Sequence, residues 1–77
     1  MERNEGSEEG RRIRRAMKAA GFTQARTASE AGIPASTFTR KLAGEVEFTT
    51  GEVADIARVL GVRTISLMPS DDMAVAA

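Results

Sequence analysis

Cysteine, histidine, tryptophan and tyrosine are all absent from the sequence, and phenylalanine occurs only three times. Without cysteine, neither a disulfide nor a thiolate metal site can supplement the core. Without histidine, the commonest general base and metal ligand is missing, and triads that depend on it cannot be assembled. No carboxylate pair sits in an evident pocket pattern either, so neither an enzyme nor a bound cofactor or metal is expected. Apolar runs are short. None approaches the roughly 20 residues of a membrane span, and no secretion-signal pattern opens the chain, so a cytoplasmic protein without membrane contact is expected. The 77 residues allow one small domain with a modest core.

Charge of one sign is not in excess: eleven Lys and Arg balance eleven Asp and Glu. Their distribution is uneven. Residues 1–9 carry Glu2, Glu5, Glu8 and Glu9 against Arg3. Residues 10–44 carry Arg11, Arg12, Arg14, Arg15, Lys18, Arg26, Arg40 and Lys41 against Glu30 alone. From residue 45 onward Glu45, Glu47, Glu52, Asp55, Asp71 and Asp72 outnumber Arg58 and Arg63. A chain divided in this way turns one region toward an anion and keeps another away from it.

The periodicity predicts helices throughout. Residues 1–6 are polar without a period, and disorder is expected there. Ser7 is a candidate N-cap for a first helix over 8–20, in which Ile13, Ala16, Met17 and Ala20 form the apolar stripe and Gly21 the stop. Thr23 can cap a second helix that starts at Gln24 and ends before Gly32. Its inward face, Ala28 and Ala31, is thin, and Thr27 stands where a larger apolar residue would pack better. A third helix is expected over 34–43, with Pro34 in its first turn and Gly44 closing it. Thr49 and Glu52 form a capping box for a fourth, whose Val53, Ile56, Ala57 and Leu60 recur at i, i+3, i+4 and i+7. A short fifth turn from Thr64 would place Ile65 and Leu67 inward and stop at Pro69. Residues 70–77 read as a flexible tail. No alternating segment occurs, so the expected fold is all-α: a compact bundle of four to five short helices over residues 7–69.

The third helix has little apolar bulk. At about 100° per residue, Phe38 and Leu42 fall within about 40° of each other and define its buried side. Ser36 and Arg40 lie opposite, flanked by Thr37, Thr39 and Ala43, with Lys41 near one edge. That outer face is short, hydrogen-bonding and built around one long guanidinium. Such a helix fits a DNA major groove, where Arg can donate two bonds to the O6/N7 edge of guanine and Ser or Thr can serve bases or phosphates.

The stretch "FTQARTASEAGIPASTFTRKLAG" resembles the helix-turn-helix of the phage repressor and Cro-like (Xre-type) DNA-binding family, with Phe22, Thr23, Gln24, Ala28, Gly32, Phe38 and Gly44 in the family's register. "EFTTGEVADIARVLGV" is similar to its fourth helix and "GRRIRRAMKAAG" to its first, so the resemblance spans about residues 8–68. It implies a lambda-repressor-like domain that inserts helix 34–43 into the major groove. Ala35, Ser36, Thr37 and Arg40 would read bases. Gln24, Thr39, Lys41, Arg11 and Arg15 would meet phosphate, Gln24 from the positive end of helix two. The departures are Thr27 in place of the usual leucine, the buried Leu42 one residue later than in many members, and Glu45 and Glu47 where relatives often carry basic or amide groups.

The function expected from this resemblance is that of a small Cro- or immunity-repressor-like transcriptional regulator, bacterial or a phage protein in the host cytoplasm. Its partner would be a double-stranded operator, bound by two copies of the chain at least on DNA, with no small-molecule effector. The surfaces that could pair two copies are the region of Val62, Ile65 and Leu67 and the tail with Met73 and Val75. The alternatives are the antitoxin of a toxin–antitoxin pair, and a protein-interaction module on a helix-turn-helix scaffold.

Overall fold

The computed structural model describes residues 8–68. Among them are five helices and no strand: α1 (Glu8–Ala20), α2 (Gln24–Ala31), α3 (Ala35–Leu42), α4 (Thr50–Leu60) and α5 (Thr64–Leu67). Ser7, the N-terminal stretch 1–6, Pro69 and the tail lie outside the described residues.

Local chemistry sets most of the boundaries. The Thr23 hydroxyl accepts the Arg26 N–H at the start of α2. At α4 the capping box is complete: Thr49 Oγ1 accepts the Glu52 N–H and Glu52 Oε1 accepts the Thr49 N–H, at 3.0 and 2.9 Å. α3 starts differently. Pro34 is its N-cap rather than a first-turn residue, with ψ at 140° and its carbonyl taking the Phe38 N–H at 2.9 Å. Proline has no side-chain acceptor, so this helix begins without a side-chain cap.

Four helices end in one and the same turn. A glycine with φ between 74° and 87° follows the last turn, and the N–H groups of the glycine and of the next residue double back to helix carbonyls. The pairs are Gly21–Phe22, Gly32–Ile33, Gly44–Glu45 and Gly61–Val62. In three of them the second residue is apolar and packs on the core: Phe22, Ile33 and Val62. In the turn after α3 it is Glu45.

The core gathers residues from all five helices and from the α2–α3 and α3–α4 connections. Ile13 and Met17 of α1, Ala28 of α2, Phe38 and Leu42 of α3, Val53, Ile56, Ala57 and Leu60 of α4 and Leu67 of α5 are buried together with Ile33 and Phe48. Phe38 meets Phe48 edge-on, with centroids 6.1 Å apart and planes at 69°. α2 packs on α3 and α4, and α1 on α3, α4 and α5. Full burial of a side chain like Phe38 stabilises by about 1.5–3 kcal/mol.

Two packing expectations change and a third holds. Ala20 is exposed at the end of α1, and Phe22, just past the Gly21 turn, packs against the core instead. Ile65 is 70% exposed. It stands about 200° around the helix from Leu67, so one turn cannot turn both inward, and Leu67 takes the buried side. Thr27 is fully buried as the register requires, and its hydroxyl donates to the Thr23 carbonyl at 2.8 Å. Its polar atom is thus satisfied within its own helix.

Candidate nucleic-acid interface

α2 and α3 are joined only by Gly32, Ile33 and Pro34, so they cross sharply instead of running antiparallel. Burial of Phe38 and Leu42 then leaves Ala35, Ser36, Thr39, Arg40 and Ala43 exposed, with Thr37 half-buried. The outer face of α3 carries the side chains expected there. Its side chains are short apart from Arg40.

The crossing brings the first residue of α2 onto this face. Gln24 Nε2 donates to Thr39 Oγ1 at 2.8 Å, and the Thr39 hydroxyl donates in turn to the Ala35 carbonyl at 3.1 Å. Two of the residues expected at phosphate are therefore in direct contact. The bond orients the Gln24 amide beside the N-terminal end of α2, where helix N–H groups and the helix dipole present positive charge.

Arg40 leaves the same face. Its Nε donates to Glu45 Oε1 at 3.2 Å, while its side chain remains 62% exposed. The four terminal N–H groups of the guanidinium are left for other acceptors.

Lys41 is elsewhere. Expected at phosphate, it is buried, and its Nζ lies 2.6 Å from Glu52 Oε1. The position next to Leu42 turns its stem under α3 toward the start of α4, so Lys41 joins two helices instead of facing solvent. Burial pushes the Glu52 carboxyl upward. The bond from Lys41, the Thr49 N–H, the charge of Lys41 and the Thr49 hydroxyl together outweigh this and hold it below its ordinary value.

On α1 the arginines have separate environments. Glu8 draws Arg12 to 2.9 Å and Arg11 to 3.7 Å. Arg14, Arg15 and Lys18 are exposed and have no ion-pair partner among the described residues. With Arg11 they recur at i, i+3, i+4 and i+7, a basic stripe opposite Ile13 and Met17. Arg26 pairs with Glu30 at 2.9 Å and lies 4.0 Å over the Phe22 ring, which ties it to the surface of α2. Glu9 marks the acidic side of the domain. Burial raises its carboxyl, and the neighbouring Glu47 of the loop after α3 raises it further.

Sequence reasoning missed the three contacts that organise the site: Gln24–Thr39, Arg40–Glu45 and Lys41–Glu52. Only Arg40–Glu45 left a legible trace, because a glycine stop after α3 brings those two positions together. Among the described residues no group of three or more Asp and Glu could hold a metal ion, and no helix is long and apolar enough to cross a membrane.

The geometry agrees with comparison to known proteins. The chain matches the helix-turn-helix domain family over residues 10–68. No curated protein matches it by sequence. Among solved structures it is similar to the restriction-modification controller protein C.AhdI from Aeromonas hydrophila, with a TM-score of 0.74 at 21% identity over 79% of this chain and 92% of that one. It is also similar to a chain of the SinR protein/SinI protein complex, with a TM-score of 0.69 at 18% identity over 88% of this chain and 67% of that one. From the short α2–α3 connection to the glycine stop after α3, the chain belongs to the helix-turn-helix domain family.

Proposed function

We propose that the protein is a small sequence-specific regulator of transcription that inserts α3 into the major groove of duplex DNA. The observation that carries this reading is the joint surface of α2 and α3, where Gln24 is bonded to Thr39 beside an exposed Ser36 and Arg40. Arg40 offers its terminal fork to a guanine edge, with Ala35, Ser36 and Thr37 lying close enough to the bases to read them. Gln24 and the α2 terminus take a phosphate, and Thr39 holds the Gln24 amide in place. Arg11 and Arg15 add charge from α1. A single module of this kind buries only about 600–1,000 Å² on DNA, so two copies on an inverted repeat, with recognition helices about 34 Å apart, give the operator complex.

Selection of bound duplexes from a random library, followed by titration of the selected site and its half-site at several salt concentrations, tests this. A single enriched motif with two-fold symmetry and two-to-one binding is the expected result. Absence of duplex affinity even at low salt would sink it.

A second reading, a protein partner bound by the same scaffold as in an antitoxin or interaction module, draws support from Ile65, an exposed isoleucine beside the half-buried Val62 and Met68. The similar SinR chain was solved in complex with another protein. Loss of duplex binding together with retention of such a partner would favour it.

A further inference from the structure

We propose that Glu45 is a specificity-determining positioning residue that holds the Arg40 guanidinium for base readout. This rests on the reading of α3 as the DNA-facing helix.

Two bonds tie Glu45 to the same residue. Its backbone N–H donates to the Arg40 carbonyl at 3.0 Å, one of the two bonds of the glycine turn, and its carboxylate accepts from Arg40 Nε at 3.2 Å. Gly44, at φ 87°, is what allows the chain to double back so tightly. The other three turns of this kind place Phe22, Ile33 and Val62 at the corresponding position, each packed on the core. An apolar residue there is the usual choice, because it covers the helix end. The turn after α3 gives up that contact and carries a carboxylate, with Arg40 as its partner.

Stability does not account for the exchange. Both side chains are about three-fifths exposed, and ion pairs in such surroundings contribute little to folding. What the pair does is geometric. A free arginine of this length samples many rotamers and can meet any nearby phosphate. With Nε engaged by Glu45, the stem is biased toward one position and the two terminal nitrogens remain as a planar fork, the arrangement that donates to O6 and N7 of one guanine. The carboxylate also repels phosphate, which penalises poses in which Arg40 merely binds the backbone. The acidic loop therefore exchanges general affinity for discrimination.

The experiment selects duplexes from a random library with the full chain and with the Glu45→Gln, Glu45→Ala and Arg40→Ala variants, and then titrates the selected operator and an unrelated duplex at one salt concentration. Thermal unfolding of each variant is followed in parallel. The wild-type chain should enrich a motif in which one base pair loses its preference on Arg40→Ala. Both Glu45 variants should weaken the preference at that same base pair by about tenfold, bind the unrelated duplex more tightly than the wild type does, and unfold at the wild-type temperature. Unchanged preference in both Glu45 variants, where Arg40→Ala abolishes it, would overturn the positioning role and leave Arg40 as an independent reader. A motif that survives Arg40→Ala intact overturns it as well, because Glu45 would have nothing to position. Failure of the wild-type chain to bind any duplex overturns the DNA reading itself and this inference with it.

Discussion

α3 and α4 are both short amphipathic helices that end at a glycine, yet they are held by different means. α4 is stable by local chemistry: a complete capping box at Thr49 and Glu52, four buried residues in one stripe, and a left-handed Gly61 that closes it. α3 has no side-chain cap, eight residues and only two large apolar side chains, Phe38 and Leu42. Tertiary contacts make up the difference. Phe48 packs on Phe38, Gln24 bonds to Thr39, and Lys41 reaches the first turn of α4. A helix that must present a polar outer face cannot also carry a broad apolar one, so its order comes from its neighbours.

The largest test of that contrast is Phe38→Ala. Removing the ring empties the centre of the core and should cost about 3–5 kcal/mol, enough to unfold much of so small a domain in a denaturant titration. A loss below 1 kcal/mol (well under the range for such truncations) would show that α3 is held mainly by its polar contacts.

On the outer face the scale is smaller and the readout differs. Arg40→Ala should leave the unfolding temperature unchanged and cost about 1–3 kcal/mol of binding to the preferred duplex, with the preference flattened at one base pair. Gln24→Ala should instead weaken preferred and unrelated duplexes alike, because a phosphate contact positions without reading.

Thr49→Ala removes only the local cap of α4 and should cost about 0.5–2 kcal/mol by thermal or chemical unfolding. If it cost as much as Phe38→Ala, local capping would carry the whole domain and the distinction between the two helices would fall.

Acid sharpens the same distinction through two carboxyls of opposite sign. Glu52 titrates below the ordinary 4.5 in the folded chain, so its contribution is in place above that pH and is lost as pH falls through the lower folded-state value. Glu9 titrates above 4.5, which favours the folded state while it is protonated and penalises it once pH rises past the raised value. Acid titrations followed by circular dichroism should therefore show Glu9→Gln to be more stable than the wild type at neutral pH. Lys41→Met should lose less stability on acidification than the wild type. A Lys41→Met chain as acid-sensitive as the wild type would place the sensitivity elsewhere.

The smallest effect is expected at Ile65. Ile65→Ser should change monomer stability by no more than about 0.5 kcal/mol, because an exposed side chain leaves no cavity behind. A large loss at high protein concentration that shrinks on dilution would reveal that a second chain covers it.

The elements were legible because their signals are local. Thr23 and Thr49 cap, glycines stop, and Val53, Ile56, Ala57 and Leu60 repeat at helical spacing, and each of these acts within a few residues. The outer face of α3 was legible for the same reason: two buried residues fix the orientation of all the others. What escaped were choices made between elements. Lys41 reads as a surface cation until the start of α4 is brought beneath it. Ile65 and Leu67 are equivalent by hydropathy, and only packing decides which one turns inward. Gln24 and Thr39 are fifteen positions apart, and no periodicity relates them.

One oxygen atom joins the two helices. Glu52 Oε1 accepts both the Thr49 N–H that starts α4 and the Lys41 ammonium that comes from the last turn of α3. Helix ends ordinarily fray independently, each opening at its own low free energy. Here the first turn of α4 cannot open without releasing the side chain that anchors α3, so the two ends form one cooperative unit. In native-state hydrogen exchange, the amide of Glu52 and those of the last turn of α3 should open with a common free energy. The surface that α3 presents would then be lost and regained as a whole, in step with the start of a helix that never touches it from outside.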